Sequence, residues 1–169
     1  MPPHARLASF TTCVLMLMAC AGAAPPPPVP PPIVGSAIPK AVSQPTPGAR
    51  AALEASSMIG TPYRYGGSTP RGFDCSGLVV YSYAKVGLTG LPHSAAALEQ
   101  RVRPVSLAEL APGDLVFFQV EGKKTSHVGI YVGGRAFVHA PSKGKHVERV
   151  DFDHIYWGPR MRIAGRLAH

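Results

Sequence analysis

Ten prolines between Ala24 and Pro47 restrict where this 169-residue chain can fold. With few charges or aromatics among them, that stretch cannot supply a core. Its proline-rich half favours extended polyproline II, at about 3.1 Å per residue, which makes a spacer. A core must therefore come from the residues beyond Pro47. One domain of modest size is expected over residues 49–169.

Before the spacer lies a different kind of segment. Arg6 is the one clear positive charge of a thin basic region, and Leu7 to Ala19 is largely apolar. That run is too short to span a bilayer comfortably but suits a signal peptide over 1–19. It ends Leu17-Met18-Ala19-Cys20, which resembles a bacterial lipobox, where Cys20 would carry the lipid. Residues 20–48 then read as a lipidated cysteine and its spacer. The alternative is a plain secretory signal cut near Ala23-Ala24. The expected location is the bacterial cell envelope, the chain held at the outer membrane or another periplasm-facing leaflet through Cys20, with its domain in the periplasm. Cys13 would leave with the signal and Cys20 would be capped, so Cys75 is the one thiol remaining. No intrachain disulfide can form, although the compartment is oxidising. A lone thiol in a polar, loop-flanked position is better explained by reactivity than by burial.

Gly66, Gly67, Thr69, Pro70 and Gly72 mark a loop before that thiol. After Asp74, apolar residues recur at Leu78, Val79, Tyr83 and Val86, which predicts a helix with Asp74 as N-cap and Gly87 past its end. Cys75 would be its first residue, where the positive end of the helix dipole favours the thiolate. Arg50 to Ile59 predicts an earlier helix, and Leu91-Pro92-His93-Ser94 opens a third through Gln100. From there the period changes to two. Leu115–Val120, Val128–Val132, Ala136–Ala140, His146–Val150 and Arg160–Leu167 predict five strands, with a type II turn at Pro112-Gly113. Helices first and strands afterwards make an α+β domain, its N-terminal helices packed on a five-stranded antiparallel sheet.

A cysteine nucleophile needs a base, and the base needs an orienting partner. His146 and His154 sit among charged residues and read as solvated. His127 and His139 stand in apolar, β-rich runs, twelve residues apart around Gly133-Gly134. A two-residue turn that pairs 127 with 140 would send their rings to opposite faces. A three-residue loop, Val132-Gly133-Gly134, would pair His127 with His139 on one face, towards the start of the Cys75 helix.

Five segments in this order, Thr61-Pro62-Tyr63-Arg64-Tyr65-Gly66-Gly67, Asp74-Cys75-Ser76-Gly77-Leu78-Val79, Leu110-Ala111-Pro112-Gly113-Asp114-Leu115-Val116-Phe117-Phe118, Ser126-His127-Val128-Gly129-Ile130-Tyr131 and Phe137-Val138-His139-Ala140, resemble the NlpC-type peptidoglycan endopeptidases, here in lipoprotein form. The resemblance implies a circularly permuted papain-like cysteine peptidase fold. It implies hydrolysis of amide bonds in peptidoglycan stem peptides, commonly between D-glutamate and a diamino acid, without a cofactor. Carried over, Cys75 is the nucleophile, His127 the base and His139 the residue orienting it, while Tyr63, Asp74 and Ser76 meet the stem peptide. His93 departs from the pattern, since relatives often have arginine there.

Other readings compete. The same residues could serve a thiol-dependent acyltransferase or amidase, or a silent wall-binding lipoprotein. Zinc would accept Cys75, His127 and His139, but no compact ligand pair or fourth ligand accompanies them, so no metal is expected. The net charge of +8 could suggest nucleic acid, yet the basic residues are scattered and no nucleic-acid motif appears. Anionic envelope polymers account for the charge better.

Overall fold

The computed structural model describes residues 44–168 apart from 121 and 123. Cys20, the segment read as a signal peptide and the spacer as far as residue 43 lie outside the described residues. Helix α1 (Pro47–Ser57) opens two residues before the expected domain boundary. Thr46 caps it, its Oγ1 accepting from the Ala49 amide at 3.1 Å. Pro47 takes the first helical turn, where a missing N–H is no loss. The last proline of the spacer is thus also the start of the fold. α1 buries Ala51, Ala52 and Ala55, side chains small enough to let it lie close against the helix of Cys75.

A small ribbon of β1 (Ser68–Thr69) and β2 (Gly72–Phe73) ties down the loop before α2 (Cys75–Lys85). α3 (Ala95–Glu99) is a single short helix, shorter than the run expected from Leu91 through Gln100. The main sheet has six strands rather than five, all antiparallel, in the order β3-β8-β4-β5-β6-β7. These are β3 (Val102–Val105), β4 (Leu115–Phe118), β5 (His127–Gly133), β6 (Ala136–His139), β7 (Glu148–Asp151) and β8 (Met161–Leu167). The unexpected strand is β3, which reads Val-Arg-Pro-Val and pairs with β8 at the sheet edge. A proline inside a run argues against a strand, except at an edge, where its missing N–H costs no ladder bond.

Both faces of the sheet are covered, which is why all four residues of β4 are buried. Leu115, Phe117, Val128, Ile130 and Val138 pack with α1 and α2. Val116, Phe118, Phe137 and Val150 pack on the other side with Trp157. The turn before β4 has the expected form: Gly113 has φ +100°, and the Asp114 amide donates to the Ala111 carbonyl at 3.0 Å. The Tyr83 hydroxyl donates to the Gly113 carbonyl, fastening α2 to this turn.

Candidate active site

Asp74 caps α2 as its position predicts, and it does more. Oδ1 accepts from the Gly77 amide at 2.7 Å and the Ser76 hydroxyl at 3.1 Å, and contacts His93 Nε2 at 2.8 Å. Oδ2 accepts from the Gly66 amide at 2.9 Å. Both oxygens are committed to the chain, and Asp74 is almost buried. Gly77 permits the close approach beneath it, since a Cβ there would meet the Gly67 carbonyl oxygen at 1.9 Å. Cys75 is delivered at the first turn of a helix whose start is fixed from four directions.

The two histidines come together by a different turn from the one expected. The β5–β6 hairpin closes on a two-residue turn, Gly134-Arg135, with φ of +59° and +58°. Taken alone, such a turn would pair Gly133 with Ala136 and run on to put the imidazoles on opposite faces. The ladder slips by one residue at Val132, however, and resumes with Tyr131 opposite Phe137 and Ile130 opposite Val138. The bulge restores the parity. His139 therefore lies across from Gly129 rather than His127, and the two rings meet diagonally, which is within reach of long side chains. His127 Nε2 and His139 Nδ1 are 2.7 Å apart, with the rings at 90°.

The pair lies on the sheet face away from the α1 and α2 core. It packs with Phe118, Phe137 and Trp157, not with the helices. Cys75 and His127 meet at the end of the sheet, where both line a cleft of about 830 Å³ together with Tyr63, Lys145, Glu148 and Trp157. The Val128 amide lies near enough to the Cys75 sulfur to favour its thiolate. Tyr63 stands close enough for Cys75 to raise its phenol, after burial itself. Asp74 and Ser76 are not among the residues lining the cleft, and Ser76 is buried with its hydroxyl turned to Asp74.

At Cys75, burial opposes the helix start. Burial pushes the Cys75 thiol up, and the Asp74 carboxylate adds to that. The amides of Val128, Ser76 and Cys75 pull the other way but do not prevail. Burial likewise lowers His127 to about 4, Asp74 opposing weakly, and takes His139 to about 2, with His127 and His154 contributing. Burial thus disfavours a lone thiolate at Cys75 and a lone imidazolium at His127 alike. The amides at the helix start favour the thiolate, but burial, with the Asp74 carboxylate second, outweighs them.

Some of the site was not visible beforehand. Trp157 stacks on His127 at 4.7 Å and 28° and meets His139 edge-on at 4.5 Å, fixing both rings and shedding water from them. Its place depends on the chain between β7 and β8 folding back over the sheet, which no local pattern announces. Glu148 was equally silent, brought to His139 only by strand pairing, while His93 stood out only as a departure from the family pattern.

The family model described as NlpC/P60 matches residues 60–166. The chain belongs to the NlpC/P60 family. Among curated NlpC/P60 relatives, it is 43% identical over 104 residues to murein DD-endopeptidase MepH of Escherichia coli, covering 59% of this chain and 38% of that one. It is 42% identical over 117 residues to the bifunctional muramidase/DL-endopeptidase CwlT of Bacillus subtilis, covering 68% and 35%. The chain thus spans little more than a third of either relative. The solved NlpC/p60 domain of the peptidoglycan hydrolase SagA superposes with a TM-score of 0.62 at 33% identity, over 71% of this chain and 98% of that one. The fold is the papain-like α+β fold of the family, with six strands in its main sheet.

Proposed function

We propose that this NlpC/P60 protein is a cysteine endopeptidase that cuts amide bonds in peptidoglycan stem peptides. The observation that carries the reading is a thiol and a histidine sharing one cleft, with the histidine's far nitrogen already engaged by a second, buried histidine. Engaging Nε2 of His127 leaves Nδ1 for the thiol, which is the arrangement nucleophilic catalysis requires. As the thiol attacks the substrate carbonyl, His127 takes its proton, and the thiolate and imidazolium form together rather than singly. The amide N–H of Cys75, at the first turn of α2, is one donor for the oxyanion. His127 then protonates the leaving amine and activates the water that frees the acyl group. His139 keeps the base in place, Trp157 keeps it dry, and Tyr63 borders the bound peptide. Asp74 and Ser76 act on the peptide through the shape of the Gly66–Gly67 loop rather than by free polar atoms.

The D-glutamyl–diamino acid bond is the proposed target, with a crosslink as the alternative, since relatives bear the names of both DL- and DD-endopeptidases. Lipid at Cys20 would hold the domain at the envelope, which the lipobox-like run supports. Digestion of purified peptidoglycan, with released fragments weighed by mass spectrometry, tests the reading. Wild type should release stem-peptide fragments whose masses name the bond, and Cys75→Ser should release at least about 10²-fold less. Intact sacculi after prolonged incubation with wild type would sink the substrate assignment. An unmodified mature N-terminus at Ala21 or later would remove the anchor.

A further inference from the structure

His139 is fully buried, and His127 uses only one of its ring nitrogens. The other, Nε2, has no hydrogen bond of ordinary geometry among the described residues. A buried polar atom left in that state is costly, so what lies nearest matters. Glu148 Oε1 stands 3.5 Å from it. The approach is built into the sheet, because the β6–β7 ladder sets His139 directly opposite Glu148. The Glu148 side chain is half-exposed and lines the same cleft as Cys75 and His127.

That carboxylate can decide where the protons sit. A neutral imidazole donates from one nitrogen and accepts at the other, and the partner of one fixes the role of both. With Glu148 beside it, Nε2 of His139 carries the proton, because a lone pair there would face an anion. His139 Nδ1 is then an acceptor, so Nε2 of His127 must be the donor in their 2.7 Å contact. His127 Nδ1 is left bare, ready to take a proton. The opposite arrangement would put a proton on His127 Nδ1 and close it as a base. The other titratable groups bearing on His139 are His127 and His154, and both only disfavour an extra proton there.

We infer that Glu148 is a positioning residue that, through His139, selects the His127 tautomer able to accept the Cys75 proton. The inference rests on the roles proposed for Cys75 and His127, and the experiment separates the two. Wild-type, Glu148→Ala and Glu148→Gln full-length proteins are compared by ¹⁵N NMR of the histidine rings and by the rate of Cys75 alkylation with iodoacetamide. Neither readout needs peptidoglycan. In wild type both His127 and His139 should be protonated at Nε2. Glu148→Ala should mix the tautomers and slow alkylation at neutral pH by roughly three- to tenfold, the scale of an ordinary net hydrogen bond. Glu148→Gln, whose side-chain oxygen can still accept, should recover most of that loss. On peptidoglycan fragments kcat should fall in step, with KM unchanged. Unaltered ring tautomers in Glu148→Ala overturn the inference. A rise in KM with alkylation untouched also overturns it, making Glu148 a substrate contact. If Cys75→Ser still cleaves peptidoglycan while the tautomers shift as described, the proposed function fails and the proton arrangement stands.

Discussion

At Cys75, the amides at the helix start and at Val128 favour the thiolate, while burial and the Asp74 carboxylate oppose it more strongly. Alkylation by iodoacetamide should therefore keep rising through and beyond pH 9.0, rather than levelling off in the acid range as for a preformed ion pair. His127→Ala should slow alkylation near neutral pH and reduce cleavage by at least about 10²-fold, the scale of general-base catalysis. His139→Ala should do less damage, since nucleophile and base both remain. The histidines also leave a mark on stability. Their folded values, about 4 and about 2, lie below the unfolded value of 6.5. As pH falls the unfolded chain takes up protons first, so stability present above pH 6.5 is lost as pH drops through about 4. Urea midpoints against pH should show that loss, and His127→Ala should flatten it.

At the scale of the element, α2 and the β5–β6 hairpin each do two jobs. Asp74→Asn keeps an oxygen for the Gly77 amide and removes the charge beside the thiol. It should lower the Cys75 pKa and speed alkylation at fixed pH, with a modest loss of stability. Asp74→Ala removes the cap as well and should cost about 1–2 kcal/mol, read from the thermal midpoint. Both helices carrying the N-terminal layer, and the α2 cap itself, were legible in the sequence because capping and a 3.6-residue period are local signals. Histidines sharing one face were also expected, but by the wrong turn. A bulge at Val132 looks like any other strand residue until the partner strand is in place. β3 was missed for a similar reason: Pro104 disqualifies a strand unless it is known to lie at an edge.

Across the whole molecule, a half-buried ion pair links the last strand to the turn before β4. Asp114 is 1% exposed and meets Arg166 through Nε at 2.6 Å and Nη2 at 2.7 Å, while its Oδ2 also accepts from the Ala111 amide at 2.8 Å. Arg166→Leu strands that carboxylate. The cost should be about 2 kcal/mol, below the 3–5 typical of a fully buried pair because solvent reaches the guanidinium, and the urea midpoint measures it. Distance in sequence decided what could be foreseen at this scale. Cys75, His127 and His139 stood out because their chemistry is rare in apolar or glycine-rich runs. Trp157 and Glu148 did not, since only the assembled sheet brings them to the imidazoles. The central claim is that the Cys75 sulfur carries the acyl group during cleavage. Acid-quenching a digestion and mapping the protein by mass spectrometry tests it directly. The Cys75 peptide should be heavier by the acyl part of a stem peptide, and Cys75→Ala should show neither adduct nor released fragments. A Cys75→Ala protein that releases those fragments at the wild-type rate would contradict it.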